Sequence, residues 1–145
     1  MASVLDVAKY ILEKLGGMTS MKLQKLVFYC QAWSLAWDDV PLFDEDFEAW
    51  ANGPVCPALY SCHRGMFAIP ADFFADRPSF AFTGNQRETM DLVLEHYGNK
   101  EPYWLSELTH QEAPWMDARV GIPEGIQSDR VITKEAMQQY YGGLV

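Results

Sequence analysis

Three groups of residues in this chain have types and spacings that could do chemistry. Cys56, Cys62 and His63 lie close together, and His96 or His110 could complete a metal site. Structural zinc sites usually pair cysteines about two to four residues apart, whereas five residues separate Cys56 from Cys62 and no second pair follows, so no metal is expected. A nucleophilic pair of Cys30 or Cys62 with His110 would need a thiol activated by a helix start, a cation or a metal. Cys30 instead falls about ten residues into a helical apolar stripe, where a thiol packs rather than reacts. The third group consists of polar residues set among apolar ones: Lys22, Gln24, Lys25 and Gln31 in one stretch, and Thr109, His110, Glu112 and Arg119 around Pro114-Trp115 in another.

Lys22, Lys25 and Tyr29 stand at i, i+3 and i+7, so they share a helix face. That face is either a solvated stripe of snorkelling lysines or a polar binding surface, and together with Arg119 it supplies candidate partner contacts. His110, near a helix end, reads as a hydrogen-bonded structural residue; a small cleft enzyme would have to combine it with Lys25, Tyr29 and Arg119. The acidic run from Asp38 to Glu48, with Asp44, Glu45 and Asp46 at its centre, is what a solvated connection looks like. No nucleophile elbow, phosphate-cradling glycine loop, H-E-x-x-H or dinucleotide fingerprint occurs, so no catalytic residues and no cofactor are expected.

The elements that must position these residues are mostly helical. Ser3 with Asp6 makes a capping box, and Val4, Leu5, Ala8, Ile11, Leu12 and Leu15 follow at helical spacing until Gly16-Gly17. Thr19 or Ser20 can cap a second helix, about residues 20–37, that is apolar nearly all round and therefore belongs at the centre of a bundle. Gly53-Pro54-Val55-Cys56-Pro57 forces extended or turn geometry, and Pro57 opens a short helix ending near Gly65. Residues 66–84 follow neither helical nor strand periodicity, apart from one short strand at Ser79 to Thr83. Asn85 with Glu88 caps a helix reaching Tyr97, Tyr103 to Thr109 forms another, Pro114 starts one through Arg119, and Thr133 caps the last. Gly53-Pro54 is assigned to a backbone turn, and Trp33, Trp50 and Trp115 to the core. The expectation is a mainly α, compact single-domain helical bundle over residues 1–145.

Composition narrows the function. With 145 residues, 49% of them hydrophobic, the chain can bury a core and is not disordered. Eleven Lys and Arg against 20 Asp and Glu give a charge of -9, which disfavours direct binding to nucleic acid or to an anionic membrane. The first residues lack the basic and apolar regions of a signal peptide and no long apolar span occurs, so a cytoplasmic location is expected. The three cysteines read as reduced thiols.

Three segments together resemble the Panacea domain family of SocA-like antitoxins and GepA-like phage-associated proteins. They are Lys22-Leu23-Gln24-Lys25-Leu26-Val27-Phe28-Tyr29-Cys30-Gln31-Ala32-Trp33; Pro41-Leu42-Phe43 with Ala49-Trp50-Ala51-Asn52-Gly53-Pro54-Val55; and Leu105-Ser106-Glu107-Leu108-Thr109-His110 with Pro114-Trp115 and Ala118-Arg119. The resemblance covers roughly residues 3–141. Cys30 stands where small residues are common in the family, and Asn52 where an aromatic often precedes Gly-Pro. The resemblance implies an antitoxin that neutralises a cognate toxin by direct binding, in one branch by delivering it to a AAA+ protease, with no established catalytic residues. A phage-associated adaptor without a toxin is the alternative, and a homodimer is compatible with either. On this reading, charge reversal across Asp44, Glu45 and Asp46 should weaken complex formation, measured by titration calorimetry, and leave the fold intact.

Overall fold

Residues 1–144 are described by a computed structural model. Its first helix, α1 (Val4–Leu15), begins where Ser3 accepts the Leu5 N–H at 3.0 Å and Asp6 accepts the Ser3 N–H at 2.8 Å, the predicted capping box. Val4, Val7, Ala8, Ile11 and Leu12 bury its inner face. Thr19 caps α2 (Ser20–Asp38) by accepting the Lys22 N–H at 3.1 Å. As its all-round apolar sequence requires, α2 runs through the middle of the domain: α1, α4 (Gly84–Tyr97), α5 (Pro102–His110) and α7 (Lys134–Gly142) pack around it. Leu23, Leu26, Val27 and Phe28 are buried at its centre. Cys30 is also buried, and the burial pushes its thiol pKa well up.

Five short strands complete the described residues. β1 (Met18–Thr19) pairs antiparallel with β4 (Ala68–Ile69). β2 (Phe47–Trp50) lies between β3 (Gly53–Val55) and β5 (Val131–Ile132), antiparallel to both. The register opposes Trp50 to Gly53, so Ala51 and Asn52 form the hairpin turn. Two short helices that open on proline, α3 (Pro57–His63) and α6 (Ala113–Ala118), follow the hairpin and α5.

The mainly α architecture agrees with the sequence reading, with three local corrections. Ser79 to Thr83 is not a strand; the strands form at 47–50, 53–55 and three two-residue sites instead. The irregular segment before it satisfies carbonyls through Lys9, whose buried ammonium donates to Phe74, Ala75 and Arg77 at 3.2, 3.4 and 2.6 Å. The cap of α4 is Thr83 with Gln86, not Asn85 with Glu88: Thr83 accepts the Gln86 N–H at 3.1 Å and Gln86 accepts the Thr83 N–H at 2.9 Å. The acidic connection is also not wholly solvated. Phe47 to Trp50 is strand, Glu45 accepts from Ser3 Oγ at 3.1 Å and Val4 N at 3.3 Å, and Asp46 pairs with Lys134 at 2.9 Å. Glu45 thus sits on the positive end of the α1 dipole, where reversing its charge acts on the fold itself.

Leu26→Ala is expected to cost about 2–5 kcal/mol in urea-induced unfolding, because Leu26 is fully enclosed. In the same experiment Glu45→Lys should cost about 1 kcal/mol and Asp44→Lys less than about 0.5 kcal/mol.

Candidate functional site

Among the polar residues singled out in the sequence, Gln24, Lys25 and Arg119 converge on the β2–β3 hairpin and its exit, while Gln31 holds the preceding connection. Gln24 and Gln31 lie seven residues apart on α2, so they point the same way, and each clamps passing backbone with both ends of its amide. Gln24 accepts the Cys56 N–H at 2.9 Å and donates to the Cys56 carbonyl at 3.3 Å. Gln31 accepts the Leu42 N–H at 2.7 Å and donates to the Phe43 carbonyl at 2.8 Å. The second amide proton of Gln24 reaches His63 Nε2 at 3.0 Å, which makes that nitrogen the acceptor and places the ring proton on Nδ1. Burial lowers the His63 pKa and keeps the ring neutral.

α2 itself, α5 and α6 supply further donors. Lys25 Nζ donates to the Pro54 carbonyl at 3.1 Å, Ser106 Oγ to Asn52 at 2.5 Å, Trp115 Nε1 to Trp50 at 2.8 Å and Arg119 Nη1 to Ala49 at 2.9 Å. Arg119 also donates to Pro123 at 3.1 Å and to Ile126, and its guanidinium lies 5.1 Å from the Trp115 ring centroid. Thr109 Oγ1 donates to the Ser106 carbonyl at 2.7 Å, a bond internal to α5. Gly53 has φ +119°, and a Cβ there would stand 2.5 Å from Lys25 Cε and 3.0 Å from Thr109 Oγ1, so only glycine lets the lysine pass beneath the turn.

Lys25 is 1% exposed, and burial lowers its pKa to about 7. A second network joins α2, α6 and α7: the Tyr29 and Tyr141 hydroxyls donate to Glu112 Oε1 at 2.6 and 2.8 Å. Burial raises the Glu112 pKa against the opposing effect of both tyrosines, and raises those of Tyr29 and Tyr141. Tyr29 also stacks on Tyr97, with centroids 4.2 Å apart.

His110 makes no hydrogen bond to Lys25 or Tyr29. Its ring stacks on Trp115 at 4.0 Å, and its buried Nε2 has no partner among the described residues. Burial lowers its pKa, with the nearby Lys25 charge acting in the same direction and Glu107 opposing. The residues expected to contact a partner do not form one surface. Lys25, Tyr29 and Arg119 are buried, Lys22 and Glu45 are half-buried, and only Asp44 and Asp46 are exposed. Burial also corrects the picture of snorkelling lysines for Lys25, and the assignment of Trp50 to the core, since Trp50 is half-buried, while Trp115 is enclosed and the half-buried Trp33 packs against the core. Leu23 and Val55 are core residues, and Pro114 opens α6 from a buried position.

A second feature had no separate signal in the sequence. Trp33, Trp37, Leu92, Val93, His96 and Tyr97 line a groove of about 360 Å³ between the end of α2 and α4. Trp37 is 42% exposed although it ends the apolar stripe of α2, and Leu92 is 46% exposed on the polar face of α4. Trp33 Nε1 donates to the Tyr97 hydroxyl at 3.1 Å, fixing the floor, and Trp33 lies 4.8 Å from Trp37. Glu88 and Glu95, one turn either side of Leu92, are exposed.

Among the described residues no group of three or more His, Cys, Asp or Glu is placed to hold a metal ion, and no helix is long and apolar enough to cross a membrane. These features define a mainly helical domain whose sequence motifs serve to clamp a short hairpin. The family model for the antitoxin SocA-like, Panacea domain matches residues 23–116, which contain the hairpin and nearly all of its clamps, and the chain belongs to that family. No curated protein and no solved structure matches the chain significantly.

The buried lysine gives stability a pH signature. The folded chain releases the Lys25 proton near pH 7 and the unfolded chain near 10.5, so between these values the unfolded state holds more protons and stability rises with pH. Cys56, raised from 9.0 to about 11, opposes this only toward the top of that range. Urea unfolding free energy should therefore increase by order 1 kcal/mol per pH unit between about pH 7 and 9, and Lys25→Met should flatten that slope.

Proposed function

We propose that this chain is an antitoxin that neutralises a toxin protein by stoichiometric binding, with no bond made or broken, and that the α2–α4 groove takes the toxin. Membership of the antitoxin SocA-like family supports the role. The observation that carries the site is the exposed pair Trp37 and Leu92, set over a hydrogen-bonded aromatic floor. Large apolar side chains grouped in a groove are the usual anchors of protein interfaces, and exposing them without a partner is unfavourable.

Neighbouring charge selects the occupant. Glu88 and Glu95 flank Leu92, and Asp39 follows Trp37 closely along the chain, so the groove suits an amphipathic toxin helix that carries apolar anchors between basic residues. The net charge of -9 would speed encounter with such a basic face. The buried Lys25, Tyr29 and Arg119 then act from inside, by holding the shape of the domain.

The test is co-expression with the protein encoded beside this one. That neighbour alone should arrest growth, and the unaltered chain should rescue it and co-purify with it. Trp37→Ser combined with Leu92→Ser should abolish rescue, losing about 2 kcal/mol or more of binding per anchor while thermal unfolding is nearly unchanged. Failure of the unaltered chain to rescue overturns the antitoxin role; rescue by the double variant overturns the groove.

A further inference from the structure

A separate cleft lies at the opposite end of α2, about 18 Å of helix rise from Trp37. Its volume is about 230 Å³, and its lining includes Ser20, Gln24, Lys25, Trp50, Tyr60 and His63. In a chain of charge -9, no acidic residue lines it. Lys25 is its one cationic side chain, and among the described residues its ammonium makes a single hydrogen bond, to the Pro54 carbonyl. An ammonium has three protons to donate, so two are left without a protein partner in a nearly fully buried group. Among the described residues the remaining polar walls do not take them: Gln127 Oε1 accepts the Ala51 N–H at 3.3 Å, and the Asn52 side chain makes no hydrogen bond to Lys25. Gln24 is committed on both atoms to Cys56 and His63, and His63 Nε2 is occupied by Gln24. Ser20 brings the first turn of the 19-residue α2, whose dipole favours negative charge, and that turn carries no acidic residue to occupy it.

Asn52 and Gln127 complete the polar lining, and the aromatic walls are Trp50 and Tyr60. Trp50 and Tyr60 meet edge to face with centroids 4.8 Å apart. We infer that this cleft binds a small monoanionic carboxylic acid on an aryl stem, its carboxylate on Lys25 Nζ and its ring against Trp50 and Tyr60. One buried cation matches one negative charge; a phosphate dianion would leave half its charge unpaired in a desolvated site. The volume exceeds the roughly 150 Å³ cavity that accepts benzene, so it admits one ring with its carboxylate. The residues involved are distinct from those of the α2–α4 groove, and the inference does not rest on the antitoxin reading.

The probe is phenylacetate, titrated into the full chain near pH 6 and followed by the indole N–H resonances of Trp50 and Trp37. Saturable movement of the Trp50 signal with Trp37 unmoved is expected, and phenylacetamide, the neutral isostere, should bind about tenfold or more weakly. Lys25→Met should reduce phenylacetate affinity by a similar factor while leaving phenylacetamide binding unchanged. No saturable shift, equal binding of acid and amide, or movement of Trp37 alone would overturn the site. The acid and amide comparison on the unaltered chain decides the matter even if the Lys25 variant fails to fold.

Discussion

Backbone carbonyls of a hairpin only three or four residues long cannot all find partners within a ladder of that length, and those turned toward the core must be satisfied by something other than water. In this domain they are satisfied by side chains. Carbonyls of Ala49, Trp50, Asn52 and Pro54 accept from Arg119, Trp115, Ser106 and Lys25, and Cys56 exchanges two bonds with Gln24. The donors come from three elements, Gln24 and Lys25 from α2, Ser106 from α5, and Trp115 and Arg119 from α6 and its end, so the hairpin is held in one orientation by groups that meet only when all three are docked. That requirement explains why polar residues sit in an otherwise apolar central helix. Each would be costly alone, and together they specify the placement of the hairpin.

The same logic redistributes charge. Lys9, Lys25 and Arg119 are all buried, and all donate to carbonyl oxygens instead of carboxylates. These cations therefore neutralise few of the acidic groups, most of which remain at the surface. Glu112, the buried carboxylate of the second network, is held by tyrosine hydroxyls and not by a cation. An acidic exterior around an aromatic groove is one outcome. An acid-free cleft with an incompletely bonded ammonium is the other. Both lie along α2, toward its opposite ends.

The helical scaffold was legible because its signals are local. The Ser3 cap, the apolar periodicity of α1, the all-round apolar α2, the proline starts of α3 and α6 and the Thr133 cap of α7 depend on residues within a few positions of one another. The cap of α4 falls two residues before the one read from the sequence, since Thr83 with Gln86 forms it and not Asn85 with Glu88. Strands were poorly legible for the converse reason. Two-residue strands carry no usable period, and they exist because a distant segment pairs with them, as Ile69 does with Met18 and Val131 with Glu48.

The unusual residues themselves, Gln24, Lys25, Gln31, Gly53, Glu112 and Arg119, could be picked out of the sequence, since a polar or flexible residue in an apolar context is visible without coordinates. Their roles could not. Whether Lys25 snorkels to water or lies 1% exposed under a hairpin depends on Pro54, and whether Tyr29 faces a partner or a buried carboxylate depends on Glu112, 83 residues away. Chain connectivity determined the kind and order of the helices, because helix formation is a property of neighbouring residues. Burial, protonation and exposure were decided by tertiary packing, because desolvation depends on which remote groups close over a side chain.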